Sequence, residues 1–69
     1  MAIKMDNNIK QYRKEKGISQ EDLARMCKVT RQTINAIENN KYDPTLSLAF
    51  KLAQALQVPI DKLFIFKAN

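Results

Sequence analysis

Residues 30–39 bring together side chains that can form directional hydrogen bonds on one side of a short helix. In this stretch Ile34 and Ile37 are three residues apart and define the buried face. The other side of the helix consists of Arg31, Gln32, Asn35 and Asn39, with Thr33 on its flank. Arginine can bind a guanine edge through two hydrogen bonds, and glutamine or asparagine can bind adenine in the same way. Because an α-helix fits the major groove of B-form DNA, this face is a candidate surface for reading a base sequence.

Two helix starts of similar design position this face. Ser19 and Thr30 each have a hydroxyl that can accept a hydrogen bond from the first turn of a following helix, so both are predicted N-caps. Each cap has the flanking pair of a hydrophobic staple, formed by Ile18 with Leu23 and by Val29 with Ile34. A helix from Gln20 to Cys27 then leaves room for only a short turn before Thr30. This helix-turn-helix spacing favours base reading over the alternative, an ordinary solvated polar face.

Three further helices are predicted around this pair. The first spans residues 7–16, is capped by Asp6 or Asn7, and ends before Gly17, which suits the left-handed position after a helix. The others are a fourth helix that starts after the cap Thr45 and repeats apolar residues at helical spacing to Leu56, and a short fifth helix over residues 60–63. Pro59 precedes the fifth helix without offering a side-chain cap, so an irregular start is expected there.

The two ends of the chain have a different pattern. Residues 2–5 and 64–67 are short and rich in residues that favour strands, and neither is long enough for a helix of its own. They are therefore candidates for pairing as a small antiparallel β-ribbon.

Composition and charge narrow the class of protein. The 69 residues and 8.0 kDa fit one domain over 1–69, and 12 Lys and Arg against 7 Asp and Glu give a net charge of +5. That balance points to an anionic partner rather than to chemistry. One Cys and no His exclude a disulfide framework and a cysteine-based metal cluster, and they remove the commonest general base. We expect no enzyme activity, cofactor, metal or small-molecule ligand, and no membrane span, and so a soluble cytoplasmic protein associated with the nucleoid.

Residues 20–39 resemble the helix-turn-helix of the lambda-repressor-like family, also called the Cro or XRE type. The matching residues are Gln20, Leu23, Ala24, Val29, Thr30, Gln32, Thr33, Ile34, Ile37, Glu38 and Asn39, with Arg13, Lys41, Tyr42 and Pro44 extending the match. The resemblance covers about residues 7–63, with the helix-turn-helix at about 19–39. It implies an all-α, five-helix DNA-binding domain. The strand-like ends make the chain similar to very small bacterial repressors in which a β-ribbon supplements the five helices.

The resemblance also implies a role for each matched residue. Base contacts fall to Arg31, Gln32, Thr33 and Asn35. The resemblance assigns phosphate contacts or orientation of the reading helix to Gln20, Thr30, Asn39, Lys41 and Tyr42. Lys28 departs from the family pattern and is added as a candidate phosphate contact because of its charge. Arg13 and Glu38 match a structural ion pair between the first helix and the end of the third. Lys28 and Asn40 stand where the family often has Gly, so both are expected to adopt a left-handed conformation, which asparagine tolerates better than lysine.

A surplus of apolar side chains suggests an interface between two copies. Leu46, Phe50, Ile60, Phe64 and Phe66 exceed what so small a core needs, although closing the core of a monomer is the alternative role. A dimer would place two reading helices about 34 Å apart on a palindromic site.

The function expected from these features is a sequence-specific transcriptional regulator of double-stranded DNA, acting as a repressor and a homodimer. Two alternatives remain open at this point. One keeps the fold but assigns it to an antitoxin or restriction–modification controller that also binds a partner protein. The other is a helical protein-interaction module without a DNA role.

Overall fold

Five helices and a two-stranded sheet make up the described part of the chain. The computed structural model describes residues 3–68. The elements in order are β1 (Ile3–Asn7), α1 (Ile9–Glu15), α2 (Gln20–Cys27), α3 (Arg31–Glu38), α4 (Leu46–Leu56), α5 (Ile60–Leu63) and β2 (Phe64–Ala68). The predicted fold class is confirmed, including the terminal ribbon. None of the helices within 3–68 has the length and apolar character that a membrane span requires.

The ribbon forms within one chain. β1 and β2 are antiparallel, with Met5 opposite Phe66 and Asn7 opposite Phe64. β1 continues two residues beyond the predicted end at Met5, and β2 one residue beyond Lys67. The predicted start of the first strand, Ala2, lies outside the described residues.

Hydroxyl side chains start three of the helices as predicted. The Oγ of Ser19 accepts from the backbone amide of Asp22 at 2.9 Å, and the Asp22 carboxylate accepts from the Ser19 amide at 3.4 Å, which forms a capping box. The contacts with Ser19, its hydroxyl first and then its backbone amide, lower the pKa of the Asp22 carboxyl below its ordinary value. Thr30 and Thr45 accept from the first turns of α3 and α4 in the same way.

The cap predicted for the first helix is wrong. The N-cap of α1 is Asn8, whose side chain makes no capping hydrogen bond, whereas Asp6 and Asn7 belong to β1. Asn7 still stabilises the start of α1, because its Oδ1 accepts a hydrogen bond from the Ile9 amide at 3.1 Å. Helix α1 is accordingly shorter than predicted, and it ends before Gly17, which has the expected positive φ of 68°. Pro59, as expected, gives α5 no side-chain cap.

One hydrophobic core fixes the relative positions of the helices. Its fully buried members include Ile9, Leu23, Ile34, Ile37, Leu52, Leu56 and Leu63, which come from all five helices. Ile34 and Ile37 bury one side of α3, so the opposite side of that helix is left for solvent or a ligand. Cys27 is also buried in this core, and its burial raises the pKa of the thiol, which disfavours the reactive thiolate.

Three non-glycine residues end helices in the left-handed conformation. Lys28 and Gln57 are the C-caps of α2 and α4, with φ of 59° and 58°, and Asn40 has φ of 60° after α3. The two positions expected from the sequence, Lys28 and Asn40, are therefore confirmed. At Lys28 this conformation costs about 1 kcal/mol relative to glycine, a strain that the rest of the fold must offset.

Candidate nucleic-acid interface

Four of the predicted contact residues line one groove. Arg31, Gln32 and Asn35 of α3 form a groove of about 300 Å³ together with Gln20, the first residue of α2. The three α3 side chains are exposed, and Gln20 is half-buried. Within residues 5–66, neither the Gln32 side chain nor the Nη nitrogens of Arg31 have a hydrogen-bond partner. Donors and acceptors suited to base edges are thus available side by side on one exposed surface.

A buried ion pair lies at the end of α3, next to the groove residue Gln20. Arg13 donates from Nε to Glu38 Oε2 at 2.7 Å and from Nη2 to Oε1 at 3.3 Å. The Arg13 side chain is 11% exposed and that of Glu38 is 3% exposed, so the pair is largely shielded from water. Arg13 also donates from Nη1 to the Ile18 carbonyl at 3.1 Å, which ties α1 to the turn before α2.

Gln20 connects this ion pair to the exposed groove. Its Nε2 donates to Glu38 Oε1 at 3.0 Å, and its Oε1 accepts from Arg31 Nε at 3.5 Å. Because Glu38 occupies the donor end of the Gln20 amide, the acceptor end is directed at Arg31. Gln20 thus links the Arg31 guanidinium to a buried carboxylate at the opposite end of the same helix.

Three other predicted contact residues, Asn39, Thr30 and Thr33, make hydrogen bonds along α3. Asn39 Nδ2 donates to the Asn35 carbonyl at 2.8 Å and to Asn35 Oδ1 at 3.2 Å. The hydroxyls of Thr30 and Thr33 lie 3.0 Å apart, and Thr33 is half-buried. Thr33 follows Gln32 in the same helix but is not among the residues that line the groove.

Exposed basic side chains lie just before and just after α3. Lys28 is exposed at the left-handed end of α2, and Lys41 is exposed after α3. The Lys41 amide donates to the Ala36 carbonyl at 2.9 Å and the Asn40 amide to Ile37 at 3.0 Å, a Schellman-type ending that orders this loop. Neither lysine has an ion-pair partner within 5–66. Tyr42 is 47% exposed and borders a crevice next to β1.

Polar contacts between β1 and the end of α3 were missed by the sequence analysis. Asn7 Nδ2 donates to the Ile37 carbonyl at 2.9 Å and to Asn40 Oδ1 at 3.1 Å. Asn40 Nδ2 in turn donates to Asp6 Oδ1 at 3.2 Å. These residues are 30 or more positions apart in the chain, so no local pattern could have revealed the contact. The one related feature that the sequence did predict was the left-handed conformation of Asn40 after α3.

The residues predicted for a dimer interface are divided between a groove and the surface around it. Leu46, Ile60 and Phe64 line an apolar groove of about 330 Å³ together with Met5, Pro44 and Ala49. Leu46 is 72% exposed, whereas Ile60 and Phe64 are half-buried and also pack against the core. Phe50 and Phe66, at 50% and 63% exposure, are not among the residues of this groove.

The chain matches a known family of proteins. A family model described as helix-turn-helix matches residues 9–63. The chain belongs to this helix-turn-helix family. It is of the Cro/XRE, lambda-repressor-like type, as its motif indicated, and the family consists of DNA-binding transcriptional regulators.

Relatives of this helix-turn-helix chain support the same conclusion. It is 51% identical over 63 residues to an uncharacterized HTH-type transcriptional regulator of Methanocaldococcus jannaschii, covering 91% of this chain and 96% of that protein. The biofilm regulator SinR, solved in complex with DNA, is 37% identical with a TM-score of 0.71, and the match covers 77% of this chain and 86% of the SinR chain in that structure. The restriction–modification controller C.AhdI from Aeromonas hydrophila is 29% identical with a TM-score of 0.76, over 80% and 83% of the two chains.

Proposed function

We propose that this regulator is a repressor that binds a palindromic operator as a homodimer, with α3 in the major groove. The observation that supports this most is the groove of Gln20, Arg31, Gln32 and Asn35, where exposed hydrogen-bonding side chains meet on one surface. A repressor of this kind acts by occupying its operator in the cytoplasm, on the chromosome itself.

Base discrimination falls to α3 in this proposal. Arg31 has the donors to bind the O6 and N7 of guanine, and Gln32 has the donor and acceptor to bind adenine. Asn35 lies in the same groove, one helical turn along from Arg31 and Gln32, and so reads a neighbouring base. Thr33, which lies outside the groove, contacts a thymine methyl or a phosphate.

Affinity comes from contacts with the phosphate backbone. The exposed ammonium groups of Lys28 and Lys41, before and after α3, are proposed to neutralise phosphates on either side of the groove. Four polar residues are also proposed to contact the phosphate backbone of DNA or to orient the reading helix on it: Gln20, Thr30, Asn39 and Tyr42. Since phosphate contacts carry no base information, these residues set the register of α3 rather than its sequence preference.

A second copy of the chain is proposed to cover the apolar groove next to the ribbon. Leu46, at 72% exposure, and Phe66, at 63%, are large apolar side chains left open to water. A core of this size supplies little stability on its own, about 3–5 kcal/mol, so burying these side chains against a partner copy is favourable. The interface residues proposed are Leu46, Phe50, Ile60, Phe64 and Phe66. Such a dimer requires a two-fold symmetric DNA site. The symmetry of the preferred DNA sequence is therefore a test of the dimer.

Replacing Lys41 with alanine tests the DNA-binding proposal. The parent is expected to bind double-stranded DNA with an affinity that falls steeply as salt rises, because each neutralised phosphate releases counterions. Lys41→Ala is expected to weaken binding to all sequences alike and to reduce the slope of log K against log salt by about 1. Fluorescence anisotropy titrations of labelled duplexes at several salt concentrations give both quantities.

The matched control for this test is Lys10→Ala. Lys10 is exposed on α1 and lines neither the α3 groove nor the apolar groove, so its removal is expected to leave the salt slope unchanged. Absence of duplex binding by the parent near 0.1 M salt contradicts the proposal and favours a protein-interaction module. An equal loss of slope in the two variants instead shows that the charge acts only at long range.

A further inference from the structure

We propose that Asp6, Asn7 and Asn40 form a clamp that holds the ribbon rigidly to the end of α3 and so enforces the spacing of the two DNA half-sites. The inference rests on the proposed function, because spacing has a meaning only for a dimer on a palindromic site. The three residues are positioning residues, and they contact neither the DNA nor the partner copy.

The clamp consists of side-chain hydrogen bonds between elements that are distant in sequence. Asn7 donates from Nδ2 to the Ile37 carbonyl at 2.9 Å and to Asn40 Oδ1 at 3.1 Å. Asn40 then donates from Nδ2 to Asp6 Oδ1 at 3.2 Å. Asp6 also accepts from the Asn7 amide at 2.8 Å, which fixes its carboxylate on the ribbon side. Each amide thus uses its donor group across the gap between β1 and α3.

Asn7 additionally anchors the clamp to a third element. Its Oδ1 accepts from the Ile9 amide at the start of α1, while its Nδ2 reaches the end of α3. The next residue, Asn8, donates its amide to the Leu63 carbonyl at 2.9 Å, which ties the same segment to α5. The end of α3 is therefore fixed to the ribbon and to α1 and α5, through a segment of two residues.

The location of the clamp relates it to both proposed surfaces. Asp6, Asn7, Ile37 and Asn40 line a narrow crevice. The apolar groove proposed for the partner copy is adjacent to this crevice. Four residues line both of them: Met5, Asp43, Pro44 and Phe64. Asn40 also lies between Asn39 and Lys41 in the chain, and both of these residues are proposed to contact the phosphate backbone of DNA. The clamp thus lies between the face that sets the dimer geometry and the end of the helix that reads DNA.

Rigidity at this point has a defined consequence on DNA. Moving two half-sites apart by one base pair separates them by about 3.4 Å and rotates one by about 35° around the helix axis. A reading helix held firmly to the dimer face cannot follow that displacement and loses contacts. A reading helix with a looser connection follows part of it, so it distinguishes the correct spacing less well.

The test replaces Asn40 with glycine. Asn40→Gly removes the bonds to Asp6 and Asn7 and preserves the backbone, because glycine accepts the positive φ of 60° without strain. The matched control is Gln57→Gly, which makes the same kind of change at the left-handed end of α4, where the side chain is exposed and lies far along the chain from the clamp. Asn7→Asp serves as a second variant, since it retains an oxygen for the Ile9 amide but loses both donated bonds.

The readout is the ratio of two dissociation constants on palindromic duplexes selected by the parent. One duplex has the preferred spacing and the other has one base pair inserted between the half-sites. We expect the parent and Gln57→Gly to prefer the correct spacing about tenfold or more, and Asn40→Gly and Asn7→Asp to prefer it about threefold or less. Thermal melting followed by circular dichroism establishes that each variant is folded.

Two results separate the clamp from the function on which it rests. If the parent discriminates spacing and both clamp variants discriminate it equally well, the clamp inference is overturned while the dimeric repressor stands. If the parent itself binds both spacings alike, the palindrome-binding dimer is overturned and the clamp with it. A merely structural loss of stability lowers the affinity for both duplexes and leaves their ratio unchanged.

Discussion

Replacing Glu38 with alanine is expected to unfold most of the protein at 25 °C. The carboxylate accepts two hydrogen bonds from Arg13 and one from Gln20, and its side chain is only 3% exposed. Its removal leaves a buried guanidinium with the Ile18 carbonyl as its remaining partner. Breaking a buried pair in this way costs about 3–5 kcal/mol, which equals the whole stability expected of so small a core. Urea and thermal unfolding followed by circular dichroism measure the loss.

Two control variants distinguish the stability lost with the Arg13–Glu38 ion pair from a general effect of removing a charge. Arg25→Ala removes an exposed pair with Asp22, whose side chains are 71% and 48% exposed, and is expected to change stability by about 0.5 kcal/mol or less. Replacing Arg13 and Glu38 together with methionine leaves no unpaired charge, so the double variant is expected to recover most of the parent's stability. If Glu38→Ala melts within a few degrees of the parent, the buried ion pair does not have the structural role described for it.

The second large effect is expected at the reading surface. Arg31→Ala removes the Nη donors and Gln32→Ala the amide donors, none of which has a hydrogen-bond partner within residues 5–66. Each is expected to relax the preference at particular base pairs by about 1–3 kcal/mol, since a paired base contact is lost and the wrong base is no longer penalised. Anisotropy titrations over a panel of duplexes with single base-pair changes measure this preference. Because Gln32 is uncharged, its replacement is also expected to leave the salt slope of binding unchanged.

A neutral amide elsewhere provides the comparison for Gln32. Gln54 is exposed on α4 and does not line the groove of α3, so Gln54→Ala is expected to rank the panel as the parent does. If Arg31→Ala and Gln32→Ala also keep the parent's ranking, the assignment of base reading to this face of α3 is wrong. If the two variants instead lose affinity equally for every duplex of the panel, Arg31 and Gln32 contact phosphates rather than bases.

Local features of the chain could be predicted because they depend on neighbours in sequence. Ser19, Thr30 and Thr45 cap helices through bonds to residues three positions ahead, and Gly17 ends a helix by its own conformational freedom. The helical spacing of Ile34 and Ile37, three residues apart, was enough to separate the buried face of α3 from its exposed face. That separation places Arg31, Gln32 and Asn35 on the exposed face, which is their contribution to the groove that Gln20 of α2 completes.

Contacts between distant segments were not accessible from these local patterns. Asn7 looked like a helix cap, and its Oδ1 does accept from the start of α1, but its Nδ2 reaches Ile37 on another helix. One amide with two ends can serve two elements, and nothing in the neighbouring sequence reports the second. The resemblance to a family assigned Gln20 to phosphate contact and support of the reading helix. The structure adds the route of that support, through the buried Glu38 carboxylate.

The most direct test of the central claim is selection of binding sites from a pool of random double-stranded DNA by the purified chain. A dimeric repressor that reads bases with α3 is expected to enrich one motif made of two inverted half-sites, with their centres about 10 base pairs apart or a multiple of that distance. Retention of the pool without any enriched motif contradicts sequence-specific reading. Enrichment of a single half-site without its inverted copy contradicts the dimer.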